Sequence, residues 1–226
     1  MTMTKDSIYE FINAPTQVMK QHFVEDFTGD SLDSFVWGKI VPDSGTAVMS
    51  DLVDGGLVIT NPAASGNAIC IAFNANATNN VSPMAVRQFS HSGSAFIVVE
   101  KFDTFSNYTN GDGAWSGFAA DANLSAGGAN TCMVGVKGNN TDYRLQTTNG
   151  SGSQTRTASG VTADTNWHTY KAETTGSLAS LTIDGIFIMT TTSTLPAAKM
   201  GINISAVGDS SNVAETYIRY IEAWNT

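Results

Sequence analysis

Short runs of apolar residues, each ended by Gly, Asn, Asp, Ser or Pro, follow one another from residue 24 to the end of the chain. Runs of this length between turn-forming residues predict β-strands. The predicted strands are Gly56–Thr60, Ala68–Phe73, Ser94–Phe102, Ala114–Ala120, Cys132–Lys137, Asp142–Thr147, Asn166–Thr174, Leu178–Ile183, Ile186–Thr190, Met200–Ala206 and Thr216–Trp224. Strands that recur about every ten residues with turns between them are typical of a two-sheet β-sandwich.

The last predicted strand shows the clearest alternation. Its residues fall into two sets that alternate along the chain: Tyr217, Arg219, Ile221 and Ala223 in one, and Ile218, Tyr220, Glu222 and Trp224 in the other. A period of two indicates a strand with one buried face and one exposed face.

Residues 1–23 differ from the rest of the chain and are predicted to form a separate N-terminal arm or short helix, followed by one sandwich domain over 24–226. The arm contains six large apolar side chains: Ile8, Phe11, Ile12, Val18, Met19 and Phe23. A sandwich can close its core without them, so we expect them to cover another surface. The prediction is that the arm docks on a second copy of the chain or on a larger shell; the alternative is a tail that packs on its own sandwich.

Length and charge narrow the classes of function. The chain of 226 residues is long enough for a single all-β domain with a proper core. Its formal charge of -9 opposes binding to a phosphate backbone, so nucleic acid is excluded as a partner. Charged residues from Lys5 to Lys20 interrupt the N-terminal segment, so neither a signal peptide nor a membrane span is predicted. The expected location is the cytosol, release by lysis or a virion.

Cys70 and Cys132 lie far apart on apolar segments, and neither has a His or Cys neighbour at metal-ligand spacing. Free buried thiols are the favoured interpretation, and one disulfide is the alternative.

Three motifs together resemble a known fold family. They are Glu25 to Trp37 (EDFTGDSLDSFVW), Trp167 to Tyr170 (WHTY) and Leu181 to Gly185 (LTIDG). From residue 24 to residue 224, the chain resembles the concanavalin A-like jelly rolls, which include laminin G-like modules and family-16 glucanases. The resemblance implies an all-β fold of two antiparallel sheets. It leaves function open, because the fold hosts lectins, hydrolases, receptor modules and viral coat components.

The hydrolases of this family imply two carboxylates on one face of one strand, in a pattern close to Glu-x-Asp-x-x-Glu. The nearest candidates, Glu100 and Asp103, are three residues apart and therefore point to opposite faces of a strand. We interpret them as solvated charges at a strand end and predict that the protein is not an enzyme. His168 belongs to the WHTY motif and is interpreted as a residue of the fold.

No cluster of His, Cys and carboxylates indicates a transition-metal site, and no cofactor is predicted. Calcium is an open alternative, because Asp26, Asp30, Asp33 and the loop 107–113 offer oxygen ligands.

Glycan binding requires an exposed aromatic platform beside hydrogen-bonding groups. Trp115 is the best candidate, because small and polar residues flank it on both sides. The predicted glycan-binding residues are Trp115, Tyr108, Tyr143, Arg144, Asn110 and Asp112.

Together these features predict a non-catalytic structural and binding protein, most concretely a virion surface component such as a phage capsid decoration or fibre protein with a capacity to bind glycans. The alternative is a lectin-like carbohydrate-binding module, and a glycoside hydrolase is the third hypothesis. The predicted partners are protein, through the arm, and glycan, with no membrane.

Overall fold

The computed structural model describes residues 21–33, 36–40, 46–50, 56–61, 68–73, 89–103, 113–120, 129–138, 140–207 and 212–226. Within these ranges the secondary structure consists of strands, with no helix and hence no helix that could cross a membrane. The strands are β1 (His22–Glu25), β2 (Gly38–Ile40), β3 (Thr46–Ser50), β4 (Gly56–Asn61), β5 (Ala68–Phe73), β6 (Ser94–Phe102), β7 (Ala114–Ala119), β8 (Thr131–Val136), β9 (Asp142–Thr148), β10 (Gln154–Thr162), β11 (His168–Thr174), β12 (Ala179–Ile183), β13 (Ile186–Thr191), β14 (Gly201–Val207) and β15 (Ala214–Asn225).

The strands form two antiparallel sheets, which confirms the predicted all-β sandwich. The eight-stranded sheet has the order β13-β12-β11-β6-β15-β4-β3, and β1 pairs with β15 off this path. The seven-stranded sheet has the order β10-β9-β8-β7-β14-β5-β2. Consecutive strands such as β6 and β7 lie in different sheets, as in a jelly roll. β7 lies in the middle of the seven-stranded sheet.

The core lies between the two sheets, where aromatic side chains from both sides meet. Phe96 of β6 and Phe118 of β7 are fully buried, with ring centroids 5.7 Å apart. Phe89 packs on Phe118 from the side, at 5.0 Å. Offset and edge-on contacts of this kind add to the stabilisation that burial of the rings provides.

The first family-like motif builds the entry of the chain into the sandwich. Trp37 is buried, and its ring packs edge-on against Phe23 at 5.7 Å and in a tilted arrangement against Phe27 at 5.8 Å. Its indole N–H donates a hydrogen bond of 3.2 Å to Glu25 Oε2. Burial raises the pKa of Glu25, and the hydrogen bond from Trp37 opposes that effect. The acidic residue and the Trp of this motif are thus partners in the fold.

β1 starts at His22, before the boundary predicted at residue 24 between arm and sandwich. Phe23 lies opposite Ala223 of β15 and packs against the core, so its side chain is covered within the domain. The remaining residues predicted to form the assembly arm lie outside the described residues: Ile8, Phe11, Ile12, Val18 and Met19. Assembly through the arm stays a prediction.

β15 departs from strict alternation at a β-bulge. Its register against β6 shifts between Ile218 and Tyr220, which leaves Arg219 as an extra residue. Ile218 is buried before the bulge, and Ile221 and Ala223 are buried after it. The prediction that placed Arg219, Ile221 and Ala223 on one face is therefore wrong, because a bulge inverts the alternation beyond it.

Cys132 of β8 is a free thiol in the core, so the disulfide alternative does not hold. Burial raises its pKa to about 12, which keeps it protonated and unreactive at neutral pH.

Candidate functional site

The seven-stranded sheet has one face toward the core and a second face, which we call the outer face. On β7, Ser116 points inward, because its hydroxyl donates a hydrogen bond of 2.9 Å to Glu100 Oε1 of the other sheet. Its neighbour Trp115 therefore points to the outer face. Gly135 of β8 lies opposite Trp115, and Arg144 of β9 lies opposite Gly135. Opposed residues in antiparallel strands share a face, so these side chains belong to one surface.

Polar side chains on the outer face form a connected network. Arg156 of β10 donates a hydrogen bond of 2.8 Å from Nε to Gln146 Oε1, and its guanidinium lies 5.1 Å from the centre of the Trp115 ring. Gln146 donates from Nε2 to Thr131 Oγ1 at 3.4 Å, and Thr131 donates to Thr148 Oγ1 at 2.8 Å. We call this set the outer-face network: Trp115, Thr131, Arg144, Gln146, Thr148 and Arg156.

Arg144 joins the network to the loop between β8 and β9. Its Nη2 donates to Asn140 Oδ1 at 3.0 Å and to Asp142 Oδ1 at 3.2 Å, and its Nη1 donates to the carbonyl of Arg156 at 3.3 Å. Its Nε is buried and has no hydrogen-bond acceptor among the described residues. Buried donors in native proteins nearly always have a partner, so this one marks a place where an acceptor is missing.

The network is buried at its centre and open along β10. Trp115 and Gln146 are both 0% exposed. On β10, by contrast, Gln154 and Ala158 are exposed and Arg156 is half-buried. The prediction of Trp115 as an exposed platform is therefore wrong. Its indole instead supports the guanidinium of Arg156, and the exposed residues next to the network lie on β10.

Tyr143, the second predicted aromatic of the glycan site, points away from Trp115 and into the core. It packs against Phe102 at 6.3 Å and against Tyr170 at 5.2 Å, and its hydroxyl donates to the carbonyl of Asp164. Burial raises its pKa. Trp115 and Tyr143 thus lie on opposite faces of one sheet and cannot stack on the same sugar.

Of the other predicted glycan-binding residues, the structure places Arg144 in the outer-face network. The remaining three, Tyr108, Asn110 and Asp112, lie outside the described residues.

Glu100 is not the solvated strand-end charge that the sequence suggests. It is 0% exposed and points between the sheets, where Ser116 donates to one of its oxygens. The other oxygen, Oε2, is buried with no partner in the described part of the chain. Burial raises its pKa to about 8, and the hydrogen bond from Ser116 opposes that effect. The side chain is therefore a neutral acid at pH 7 and does not face the outer face.

The second and third family-like motifs meet at His168. Its ring nitrogens contact Asp184 Oδ2 at 2.6 Å and Asp164 Oδ1 at 2.9 Å. Asp184 begins the turn between β12 and β13, where it and Gly185 both have positive φ, as a type I′ turn requires. Partial burial lowers the pKa of His168, but the two carboxylates outweigh it and raise the pKa above its usual value. The cluster holds two turns together, which supports the interpretation of His168 as a residue of the fold.

We expect His168→Gln to lower the free energy of unfolding by about 1 kcal/mol near pH 5.5 and by less at pH 8.5. A raised histidine pKa stabilises the fold below the unfolded value of 6.5, and the contribution is lost as pH rises through the folded pKa. Urea unfolding at both pH values measures the difference. His22→Gln, which removes an exposed pair with Glu222, is the control and should change little. A loss that is as large at pH 8.5 as at pH 5.5 would show that charge on His168 contributes nothing.

The segment proposed for calcium contains local turn contacts. Asp26 Oδ1 accepts hydrogen bonds from the backbone N–H and the hydroxyl of Thr28. The carbonyl of Asp33 accepts from the backbone N–H of Trp37 at 2.8 Å. Within the described ranges, no group of three or more His, Cys, Asp and Glu side chains is arranged to hold a metal ion. Residues 107–112 of the second candidate loop lie outside these ranges, and the calcium alternative stays a prediction.

No protein-family model and no curated protein matches the sequence, but solved structures match the fold. The Crh5 transglycosylase in complex with NAG has a TM-score of 0.57 at 16% identity, over 91% of this chain and 84% of its own. The β-glucanase of Bacillus licheniformis has a TM-score of 0.56 at 13% identity, over 91% of this chain and 98% of its own. A prokaryotic β-1,3-1,4-glucanase (lichenase) from a mouse hindgut metagenome has a TM-score of 0.55 at 13% identity, over 90% and 98%. The chain has the concanavalin A-like jelly-roll fold of these enzymes.

Two predictions are corrected by these matches. The prediction of a virion surface component is wrong, because the solved structures that share the jelly roll include a transglycosylase and glucanases. The prediction that the protein is not an enzyme is contradicted by the same matches. That prediction rested on a single strand that lacks the expected pair of carboxylates. Catalytic carboxylates can also be brought together from different parts of a fold, so the lack of the pair on one strand does not exclude an enzyme.

Sequence reasoning missed four members of the network: Thr131, Gln146, Thr148 and Arg156. On β9 the signal was present, because Arg144, Gln146 and Thr148 alternate with Tyr143, Leu145 and Thr147. Arg156 gave no such signal, because β10 itself was not predicted. The sequence of that strand, QTRTASGVT, has no alternation of apolar residues, which suits an exposed edge strand.

Proposed function

We propose that this protein acts on a polysaccharide, as a glycoside hydrolase or transglycosylase that binds its substrate at the outer face of the seven-stranded sheet. The observation that carries the proposal is the jelly-roll match over about nine-tenths of the chain to enzymes named as a transglycosylase and glucanases. The outer-face network adds hydrogen-bonding groups beside an aromatic ring, the combination from which carbohydrate sites are built.

Glycoside hydrolysis uses two carboxyl groups that flank the scissile bond, about 5 to 10 Å apart. Two described carboxyl groups lie close to the seven-stranded sheet. Glu100 faces the core, and Asp142 is paired with Arg144 at 3.2 Å. The chain offers two further candidates next to the middle strand of the sheet. Asp112 lies two residues before the start of β7 and Asp121 two residues after its end, and both lie outside the described residues. β7 spans roughly 17 Å from end to end, farther than the separation of a catalytic pair, so we nominate Asp112 and Asp121 as alternative candidates, each to be tested singly.

The experiment measures new reducing ends from mixed-linkage β-glucan, laminarin and chitin oligosaccharides, together with transfer to a labelled acceptor sugar. We expect turnover on at least one of these, reduced at least 100-fold in Asp112→Asn or Asp121→Asn, since removal of a catalytic carboxyl typically costs that much or more. Glu222→Gln is the matched control, because Glu222 bonds His22 and Tyr220 on the other sheet.

The outcomes are distinct. Turnover that neither Asp variant reduces would refute the nomination of these carboxylates. Binding without turnover on any substrate would favour the lectin-like alternative. Neither binding nor turnover on any glycan would refute the proposed function itself.

A further inference from the structure

The turn between β9 and β10 contains an Asn followed directly by a Gly. β9 ends at Thr148 and β10 begins at Gln154, so Asn149 and Gly150 open the connection between the two strands. Asn149 is half-buried, and residues 150–153 are exposed to solvent. Among the described residues, no other Asn precedes a Gly. An Asn side chain at such a position can react with the backbone nitrogen of the Gly, because Gly has no Cβ to hinder the approach.

The side-chain carbonyl of Asn149 is surrounded by hydrogen-bond donors. Its Oδ1 accepts from the backbone N–H groups of Ser151 and Ser153, both at 3.1 Å, and from the Ser151 hydroxyl at 2.8 Å. Three donors draw electron density away from the carbonyl carbon, which favours nucleophilic attack on it. They also lie where negative charge collects on the oxygen in a tetrahedral intermediate, as the donors of an oxyanion hole do.

The two nitrogens that take part in such a reaction are unoccupied. Neither the backbone N–H of Gly150 nor Nδ2 of Asn149 has a hydrogen-bond partner among the described residues. The attacking nitrogen therefore breaks no hydrogen bond to the described part of the chain when it approaches Cγ of Asn149. The leaving nitrogen is likewise not held, and the exposed turn gives water access to both groups.

We propose that Asn149 is a site of spontaneous covalent modification. The backbone nitrogen of Gly150 loses its proton and attacks Cγ of Asn149. The new N–Cγ bond replaces the Cγ–Nδ2 bond, and Nδ2 leaves as ammonia. Water then opens the five-membered succinimide ring at one of its two carbonyl carbons. Opening at the former main-chain carbonyl gives isoaspartate, and opening at Cγ gives aspartate. The modification does not depend on the proposed function.

Isoaspartate disturbs this turn more than aspartate does. The backbone carbonyl of Asn149 accepts hydrogen bonds from the N–H groups of Gly152 at 3.0 Å and of Asn130 at 3.2 Å. In isoaspartate this carbonyl leaves the main chain as a free carboxylate, and the main chain gains one methylene group. The turn fixes the register of β9 against β10. The isoaspartate form should therefore loosen β10, the strand that carries Arg156 of the outer-face network.

The first test follows the modification by mass spectrometry of proteolytic peptides after incubation of the folded protein at pH 8 and 37 °C. A synthetic peptide with the sequence of residues 145–155, which has no fixed turn, is the reference. Asn149 in the folded protein should react no more than about three-fold more slowly than in the peptide, because the turn activates its carbonyl. Asn140 and Asn166, which precede Thr and Trp, should react at least roughly ten-fold more slowly than Asn149. Ser151→Ala removes one donor and should slow the folded protein at least about five-fold, but not the peptide.

The second test compares the isoaspartate form, purified by ion exchange, with Asn149→Asp, which carries the same charge without lengthening the main chain. Backbone amides of β10 should exchange hydrogen about ten-fold faster in the isoaspartate form, while Asn149→Asp should match the wild type. A reaction in the folded protein that is more than three-fold slower than in the peptide, or that Ser151→Ala does not slow, would overturn the inference. Equal hydrogen exchange in the two forms would show that the modification leaves β10 in place, contrary to what we propose.

Discussion

Gly135→Ala should lower the free energy of unfolding by about 3 kcal/mol or more, the upper part of the range for overpacking a close-packed site. A Cβ at this position would lie 2.0 Å from the carbonyl oxygen of Ala114 and 2.9 Å from Trp115 Cε3. The first contact is with the backbone of β7, so no side-chain rotation relieves it. The middle of the seven-stranded sheet must shift, and the melting temperature should fall by roughly 6 to 12 °C for a chain of this size.

Gly150→Ala is the matched control for this substitution. Gly150 has no positive φ, like Gly135, and the nearest atom to its added Cβ is Asn130 Oδ1 at an ordinary 3.6 Å. Its melting temperature should stay within about 2 °C of the wild type, as for most surface changes. The outer-face network makes a second readout available: tryptophan fluorescence of Trp115 should change in Gly135→Ala only. Equal melting temperatures for the two variants would contradict the close approach of β7 and β8.

The two-sheet fold could be predicted because its information is local. Apolar runs such as those of β6, β7 and β8 end at turn residues, and Asp184 and Gly185 form the tight turn that their chemistry favours. The inversion in β15 could not be predicted. A bulge at Arg219 depends on how β15 meets β6, and neither strand alone carries a sign of it.

The candidate site was harder to predict than the fold, because its members come from strands that are distant in sequence. Arg144 was identified from the sequence. Its hydrogen bond to Asp142 depends on how the two side chains are placed on β9, which the sequence does not show. Arg156, whose carbonyl accepts a hydrogen bond from Arg144, lies on an edge strand that was not predicted. Trp115 was selected for its small neighbours. In the structure Gly135 of the neighbouring strand leaves room for the buried indole. The small residues beside Trp115 in the sequence therefore gave no sign of its burial, because Gly135 meets it only through the pairing of β7 with β8.

Glu100 shows why the spacing of two carboxylates along the sequence did not predict whether each is buried or exposed. The pattern of β6 places Glu100 on the same face as Phe96, Val98 and Phe102, all of them buried. The apolar residues at every second position of β6 thus predict that the Glu100 side chain points into the core. It does not predict that Ser116 from the opposite sheet will supply a hydrogen bond, since that contact joins two sheets.

Glu100→Gln should remove a large pH dependence from the stability of the protein. The folded pKa is raised from 4.5 to about 8 by burial, with Ser116 opposing that effect. As pH rises above 4.5, the unfolded chain releases this proton while the folded chain keeps it. Stability therefore falls across this window and levels off above the folded pKa. At 1.36 kcal/mol per unit, the loss between pH 4.5 and 8 is on the order of 4 kcal/mol.

Chemical unfolding of wild type and Glu100→Gln at pH 5, 7 and 9 measures this effect as a difference, so the titration of all other groups cancels. At pH 5 the variant should be equal to the wild type or somewhat less stable, because the amide brings an N–H₂ group that finds no certain acceptor between the sheets. At pH 9 it should be the more stable protein, by several kcal/mol. Glu173→Gln, which removes a half-exposed partner of Lys171, should give a curve parallel to the wild type. If the Glu100→Gln curve is also parallel, Glu100 ionises as readily in the folded protein as in the unfolded chain, and its carboxyl does not lie in a dry core.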